Sequence, residues 1–183
     1  NTNISLRQIN KLAIPAIIAG ISEPILSLTD AAIVGHMSVH ATESLAAVGV
    51  VTAFLSMLIW VLGQSRSAIS SIVSQYVGAN KINEVKDLPI QAIAIILLIS
   101  TVVCVITYPF SRSIFSLYNA SGLLLDYSVS YYKIRVIGLP FTLYVFAVFG
   151  VFRGLQNTYY PMIIAITGAT VNILLDFVLV YGI

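Results

Sequence analysis

The stretch LPIQAIAIILLISTVVCVITYPF, residues 88–110, identifies the structural class because it is long, apolar and free of charged residues. A helix of about 20 apolar residues spans the roughly 30 Å hydrocarbon core of a bilayer. The rest of the chain has the same character, since 58% of its 183 residues are hydrophobic, only 9% are charged and the mean hydropathy is +0.97. Such a chain has too little polar surface to cover a soluble globule. We therefore predict an integral membrane protein.

Two further apolar stretches precede this one and two follow it. A backbone in lipid must satisfy its own hydrogen bonds, and these stretches lack the alternating pattern of a barrel strand, so each is predicted to be a helix. Residues 123–133 are rich in tyrosine and are predicted to form an interfacial turn of helix before the fourth span. The sequence thus predicts an all-α integral membrane bundle of about five transmembrane helices. Its predicted spans are residues 12–35, 45–71, 88–110, 134–152 and 160–182.

The charged residues lie mostly between the apolar stretches, and the net charge is only +2. This pattern excludes a basic surface of the kind that binds nucleic acid. Because basic residues concentrate on the cytoplasmic side, the N-terminus is predicted to be cytoplasmic in a multi-pass protein of the plasma or inner membrane. The predicted cytoplasmic side carries Arg7, Lys11, Lys81, Lys86 and Arg153, and the other side carries Arg112, Lys133 and Arg135.

Two acids, Asp30 and Asp176, fall inside predicted spans. An unpaired acid in hydrocarbon costs about 2.5–3.5 kcal/mol on insertion scales, so it is expected to face a protein interior or a watery cavity. Asp30 lies five residues before Gly35 and Asp176 six residues before Gly182, which predicts nearly equal depth in two helices that run the same way. We expect the two carboxylates to share one cavity.

Helical spacing groups more polar residues with these acids. Glu23, Ser27 and Asp30 are four and three residues apart and therefore lie on one face, and Asn172 and Asp176 form an i, i+4 pair. Asp30, Asn172 and Asp176 are predicted to bind a cation or a proton, with Glu23 and Ser27 as additional members. The alternative is that these residues join helices through hydrogen bonds, and Glu23 in particular would pair equally well with another helix.

Prolines suggest where the bundle bends. Pro15 and Pro24 lie in the first span and Pro140 in the fourth, and each removes a backbone hydrogen bond and favours a kink. A bend near an acid is predicted to change with protonation, so Pro15 and Pro24 are assigned a conformational role, although a static kink would explain each equally well. Arg66, deep in the second span, is expected either to reach the interface or to pair with an acid.

No arrangement of a nucleophile with a base and no glycine-rich phosphate loop is present in the sequence, so no enzyme activity is predicted. No cofactor is predicted either. The only metal expected is a sodium ion at Asp30, Asn172 and Asp176, because sodium and a proton both suit a group of carboxylate and amide oxygens.

Several motifs together resemble the multidrug and toxic compound extrusion (MATE) family. The run RGLQNT at residues 153–158 is similar to the family's RGxxDT signature, and Arg66 favours its DinF-like branch. Asn157 departs from the signature, since an acid is common at that position, and this puts a charge role for the loop in doubt. The other matching residues are Asp30 in TDAAIVG, the run SQYVGA at 74–79, Tyr131, Ile134, Arg135, Gly138, Pro140, Pro161, Asn172, Asp176 and Gly182.

The resemblance implies a transporter with twelve helices in two six-helix lobes, which exchanges external sodium ions or protons for cytoplasmic organic cations. The chain would then supply most of the N-terminal lobe, and the sixth helix and the second lobe would be missing from it. Asp30, Asn172 and Asp176 match the family's polar site, Tyr131 is implied as a hydrogen-bonding neighbour, and Pro15 matches a proline associated with bending.

Two other functions remain open. A flippase for lipids or lipid-linked oligosaccharides belongs to the same superfamily, but its cavity would be expected to contain several Arg or Lys residues for phosphate. A membrane assembly module without transport activity would use the acids only to join helices. The expected partners of the transporter are the lipid bilayer, a small organic cation and the remainder of its own chain, and the coupling ion is either H⁺ or Na⁺.

Overall fold

A computed structural model of the chain describes residues 5–35 and 41–181, and every regular element in these ranges is helical. Side chains within these ranges that are not described include those of Glu23 and Asp30. Short 3₁₀ turns cover Ile82–Val85 and Val136–Gly138. The α-helices are α1 (Leu6–Gly35), α2 (Ala41–Gly63), α3 (Ser65–Gly78), α4 (Leu88–Thr107), α5 (Ser111–Leu117), α6 (Gly122–Arg135), α7 (Leu139–Gly154) and α8 (Tyr159–Tyr181).

Five helical units are long and apolar enough to cross a membrane, which confirms the predicted all-α membrane class. Two of these units are composite. α2 continues into α3 after an interruption at Gln64, and α6 continues into α7 through a 3₁₀ turn. The units are Leu6–Ile33, Thr42–Gly78, Leu88–Thr107, Gly122–Gly154 and Tyr159–Leu179.

The first helix begins earlier than the predicted span because its N-terminus is capped. The backbone N–H of Ser5 donates to Oε1 of Gln8 at 3.1 Å, and the backbone N–H of Gln8 donates to the Ser5 hydroxyl oxygen at 3.4 Å. This reciprocal pair is a capping box, which satisfies two donors that a helix N-terminus otherwise leaves unpaired. α1 is therefore a 30-residue helix that contains both Pro15 and Pro24.

The fourth unit differs from the predicted arrangement of an interfacial turn followed by a separate span. α6 runs to Arg135, and the chain then makes a 3₁₀ turn before α7. Pro140 has no N–H to donate to the carbonyl of Val136, four residues earlier. The N–H of Leu139 donates to this carbonyl instead, in the i, i+3 pattern of a 3₁₀ turn. α6 and α7 are thus joined by a 3₁₀ turn into one composite unit, Gly122–Gly154.

An aromatic cluster connects α2, α5 and α6. The rings of Phe54, Phe115 and Tyr132 meet edge to face, with centroids 5.2–6.0 Å apart, a favoured geometry for aromatic pairs. Tyr132 is fully buried, and its hydroxyl donates to Oγ1 of Thr107 on α4 at 2.6 Å. The cluster therefore also anchors the end of α4.

A second core forms where α3 and α4 pack against α7. Gly150 and Gly154, four residues apart, lie on the α7 face that meets α3. A Cβ atom on Gly150 would lie 2.6 Å from the carbonyl oxygen of Arg66, and one on Gly154 would lie 2.6 Å from Cβ of Val73. Small residues at this spacing let two helix backbones approach closely in a membrane.

The first and last helices form a pair along one side of the bundle. α1 packs mainly against α8, whereas α3 and α4 pack against α7, and α2 and α5 against α6. At one end of the pair, Oγ1 of Thr158 donates to the backbone carbonyl of Leu12 at 2.9 Å. This bond fixes where α8 begins relative to α1.

Candidate cation site between the first and last helices

α8 carries two partly buried polar side chains on one face. Asn172 and Asp176 are four residues apart, which places them one above the other on the helix. Oδ1 of Asn172 and Oδ2 of Asp176 are shielded from solvent, and neither has a hydrogen-bond partner in the part of the chain that is described. Buried acceptors are normally paired, so these two oxygens form a polar face that can accept hydrogen bonds or bind a cation.

The carboxylate of Asp30 is expected opposite this face. α1 packs along α8, and the Thr158–Leu12 bond gives the register of the pair. Asp30 lies 18 residues after Leu12, and Asp176 lies 18 residues after Thr158. At a rise of 1.5 Å per residue, both backbones reach a height of about 27 Å above the bond. The side chains of Asp30 and Glu23 lie outside the described residues, so their membership of the site stays a prediction.

Tyr131 lies on α6, which packs against α2 and α5. Its ring is half-buried, and the guanidinium carbon of Arg135 lies 5.8 Å from the ring centroid. The observed contact is therefore a cation–π interaction on its own helix. Its predicted role as a hydrogen-bonding neighbour of the acids stays a prediction.

Ser27 and Pro24 line a different cavity, of about 340 Å³, between α1, α2, α3 and α7. Arg66 also lines this cavity, and its guanidinium carbon lies 4.8 Å from the centroid of the Phe146 ring. Stacking on an aromatic face stabilises a partly desolvated cation. The structure thus gives Arg66 an aromatic neighbour that neither sequence interpretation included. It places the Ser27 side chain in this cavity, and the Glu23 side chain is not described.

The close α3–α7 contact was also missed from the sequence. Its signal was available, because Gly150 and Gly154 have the small-xxx-small spacing of membrane helix interfaces. The contact matters for the cavity, since it holds the backbone of Arg66 against α7. No group of three or more metal-binding His, Cys, Asp or Glu side chains occurs in the ranges 5–35 and 41–181, within which some side chains are not described.

Comparison with known proteins identifies the family of the chain. The sequence profile of the MatE family matches residues 15–178. The chain belongs to the MatE family. Members of this family are transporters rather than enzymes, which confirms the expectation that the chain is not catalytic.

Two MatE relatives align with nearly all of the chain. DNA damage-inducible protein F of Escherichia coli is 27% identical over 172 residues, which cover 93% of the chain and 37% of that protein. Multidrug resistance protein MdtK of Yersinia enterocolitica is 27% identical over 179 residues, which cover 98% of the chain and 38% of that protein. The chain therefore spans well under half the length of these relatives.

Solved structures share the MatE fold described above. A MOP-superfamily transporter from Pyrococcus furiosus superposes with a TM-score of 0.84 at 22% identity, over 96% of the chain and 38% of that structure. An outward-facing multidrug resistance MATE transporter gives the same TM-score at 21% identity, again over 96% of the chain and 38% of that structure. At this identity the similarity shows the fold alone.

Proposed function

We propose that the chain supplies the ion-binding half of a secondary antiporter that exports organic cations or drugs in exchange for H⁺ or Na⁺. The observation that carries the proposal is the pair of orphaned oxygens on Asn172 and Asp176, buried in a helix that packs against α1. The names of the relatives support the same class, since MdtK is a multidrug resistance protein. In the proposed orientation, α1 begins in the cytoplasm and the acids lie in the outer half of a plasma or inner membrane.

Exchange follows from competition for one negative charge. In low dielectric, the carboxylate of Asp176 is stabilised by a proton, a sodium ion or a cationic substrate. Asn172 adds an uncharged oxygen that favours a bound cation without adding charge. Because one negative charge cannot fully stabilise two cations, binding of the coupling ion from outside lowers the affinity for the cationic substrate. Release of the ion into the cytoplasm then restores this affinity.

Transport by the full-length protein in proteoliposomes tests the proposal. Sodium and proton gradients are imposed separately, and efflux of a fluorescent organic cation is followed. We expect Asp30→Asn and Asp176→Asn each to reduce gradient-driven efflux about tenfold or more, because losing an interaction with a charged group costs about 1.5–3 kcal/mol. The double variant should lose little more than either single variant, since residues that act as a unit are non-additive.

Asp126→Asn is the matched control. It makes the same chemical change at an exposed acid, which pairs with Arg112 at 2.9 Å on a different helix. Exposed pairs contribute little to stability, so efflux by this variant should be close to that of the unmodified protein. Coupled efflux retained by either Asp30→Asn or Asp176→Asn would contradict the shared site.

A second candidate function is transport of an anionic substrate such as a lipid-linked phosphate. The cavity that contains Arg66 favours it, because a guanidinium can bind phosphate through two parallel hydrogen bonds. The Pyrococcus furiosus transporter is itself described as having a binding pocket of reversed polarity. Two results together would favour this function. Arg66→Gln would lose transport of an anionic substrate, and the unmodified protein would show no cation efflux.

A further inference from the structure

A cavity lies at the opposite end of α1 from the candidate cation site. Its volume is about 780 Å³, and it opens between the first turns of α1 and the loop that joins α7 to α8. The Thr158–Leu12 hydrogen bond links these two segments. Its lining residues are Arg7, Asn10, Lys11, Leu12, Ile14, Pro15, Leu155, Gln156, Asn157, Thr158 and Tyr159.

The charge in this cavity has one sign. Arg7 and Lys11 are four residues apart and lie on the same face of α1, and the described lining residues include no acid. Asn157 also lines the cavity and is uncharged. Its Oδ1 accepts a hydrogen bond from the backbone N–H of Tyr159 at 3.2 Å, so its amide NH₂ can serve as a further donor. The cavity therefore offers two cations and an amide to an anion.

The length of α1 indicates that the cavity lies at the level of lipid headgroups. α1 has 30 residues and is about 45 Å long, whereas the hydrocarbon core is about 30 Å thick. The excess of roughly 15 Å carries Arg7 and Lys11, which precede the apolar part of the helix. Basic pockets between transmembrane helices at this level suit the phosphate of anionic lipids.

Exposed apolar side chains continue from the cavity along α1. Leu12 and Leu155 line the cavity, and Ile14 lines it while remaining 54% exposed. Ile17 and Ile21 follow along α1 and are 58% and 50% exposed. A ligand with a charged head and an apolar tail would satisfy the cations and cover this surface, whereas free phosphate would leave the surface uncovered.

We propose that this cavity is a binding site for the phosphate headgroup of an anionic phospholipid. Arg7 and Lys11 hold the phosphate, Asn157 donates a hydrogen bond, and one acyl chain lies along Ile14 and Ile17. The site is separate from the cation site, which lies near the other end of α1. Lipid binding here requires neither a coupling ion nor a transported substrate.

Native mass spectrometry of the full-length protein in detergent tests the proposal. The protein is titrated with phosphatidylglycerol and, separately, with zwitterionic phosphatidylcholine. We expect selective binding of phosphatidylglycerol. In the variant Arg7→Gln/Lys11→Gln this binding should weaken about 25-fold, because each basic residue near a membrane surface contributes roughly a fivefold gain in affinity for anionic lipid.

The matched control is Lys81→Gln/Lys86→Gln, which removes the same charge from exposed residues of the α3–α4 connection, at the same end of the bundle. Neither lysine lines the cavity, so binding in this variant should change less than about twofold if the lipid binds in the cavity. Equal weakening in both double variants would overturn the proposal, because it would indicate a general effect of net charge. Equal affinity for the two lipids would also overturn it.

Asn157→Asp changes only an amide to a carboxylate and should weaken phosphatidylglycerol binding. Unchanged binding would overturn the role of Asn157. Inorganic phosphate at millimolar concentration should not displace the lipid, and its displacement would assign the site to free phosphate instead. If the double variant does not fold, the single variants Arg7→Gln and Lys11→Gln should each weaken binding about fivefold.

Discussion

Asn172 bears on whether the polar face of α8 binds a cation or joins α8 to another helix through hydrogen bonds. Oδ1 of Asn172 is buried and has no hydrogen-bond partner among the described residues, which do not include the side chains of Asp30 and Glu23 on α1. A buried acceptor without a partner destabilises a protein by about 1–3 kcal/mol, and a bound ligand removes this cost. A binding role for Asn172 therefore stays a prediction, which its replacement tests.

Replacing Asn172 by Ala should therefore reduce coupled efflux without destabilising the protein. Removing an unpaired acceptor should leave the free energy of unfolding in detergent unchanged or increase it by up to about 1 kcal/mol. Thr158→Val is the comparison, since it breaks an observed hydrogen bond to Leu12 and should destabilise the protein by about 1 kcal/mol. Thermal unfolding of both variants measures the difference, and a large loss of stability in Asn172→Ala would restore the structural interpretation.

The sequence identifies such residues by type but not by partner. Asp30, Asn172 and Asp176 stand out because polar groups are rare in apolar spans. Arg66 stood out for the same reason, but its contact with Phe146 joins two helices that are distant in the chain. Helical spacing orders residues within one helix and contains no information about which helix lies opposite.

The α3–α7 contact depends on the absence of side chains at two positions. A methyl group on Gly150 would lie 2.6 Å from a backbone oxygen and 3.1 Å from a backbone Cα, and backbone atoms cannot move aside cheaply. The two helices would have to separate.

Gly150→Ala should accordingly destabilise the protein by about 1–3 kcal/mol, as expected for overpacking. Gly49→Ala is the control, because a Cβ atom there meets no atom within 4 Å. That variant should be neutral or slightly stabilising, since alanine is the better helix former. Thermal unfolding in detergent compares the two, and equal stability would show that α3 can shift away from α7 without loss.

Pro15, inside α1, provides a test of conformational change. Pro15 cannot donate a hydrogen bond to the carbonyl of Lys11, so the helix is weakened at this turn. Pro15→Ala restores the donor and should favour the straight helix by about 1 kcal/mol, which shifts a two-state equilibrium about fivefold. Turnover in proteoliposomes should slow while the amount of folded protein is maintained. Unchanged turnover would make Pro15 a static packing feature.

Element boundaries were predictable where composition changes and were not where capping or proline chemistry controls them. The fourth span was expected to begin near Ile134, but α6 starts at Gly122 and joins α7 through the turn before Pro140. Similarly, the Ser5–Gln8 capping box extends α1 beyond its apolar part. Both effects are local hydrogen-bond arrangements that a hydropathy average does not register.

For the molecule as a whole, orientation in the membrane is a separate prediction. Cysteines introduced as Ser121→Cys and Asn83→Cys, in a Cys104→Ala background, lie at opposite ends of the bundle and at exposed positions. The distribution of basic residues predicts labelling of Ser121→Cys from outside the cell and of Asn83→Cys only from inside. An impermeant thiol reagent applied to intact cells and to inverted vesicles distinguishes them. The reverse pattern would place the acids at the cytoplasmic end.

Pairing of the first helix with the last has a consequence for how the protein is made. Leu12 and Thr158 are 146 residues apart. A ribosome adds about 5–20 residues per second, so α1 leaves it about 7–30 s before the residues that bind it. Throughout this interval α1 must stay in the bilayer with two acids and two prolines and without its main packing partner. α1 belongs to the least apolar of the five membrane-spanning units, so slower translation, which lengthens this interval, is expected to lower the yield of correctly inserted protein.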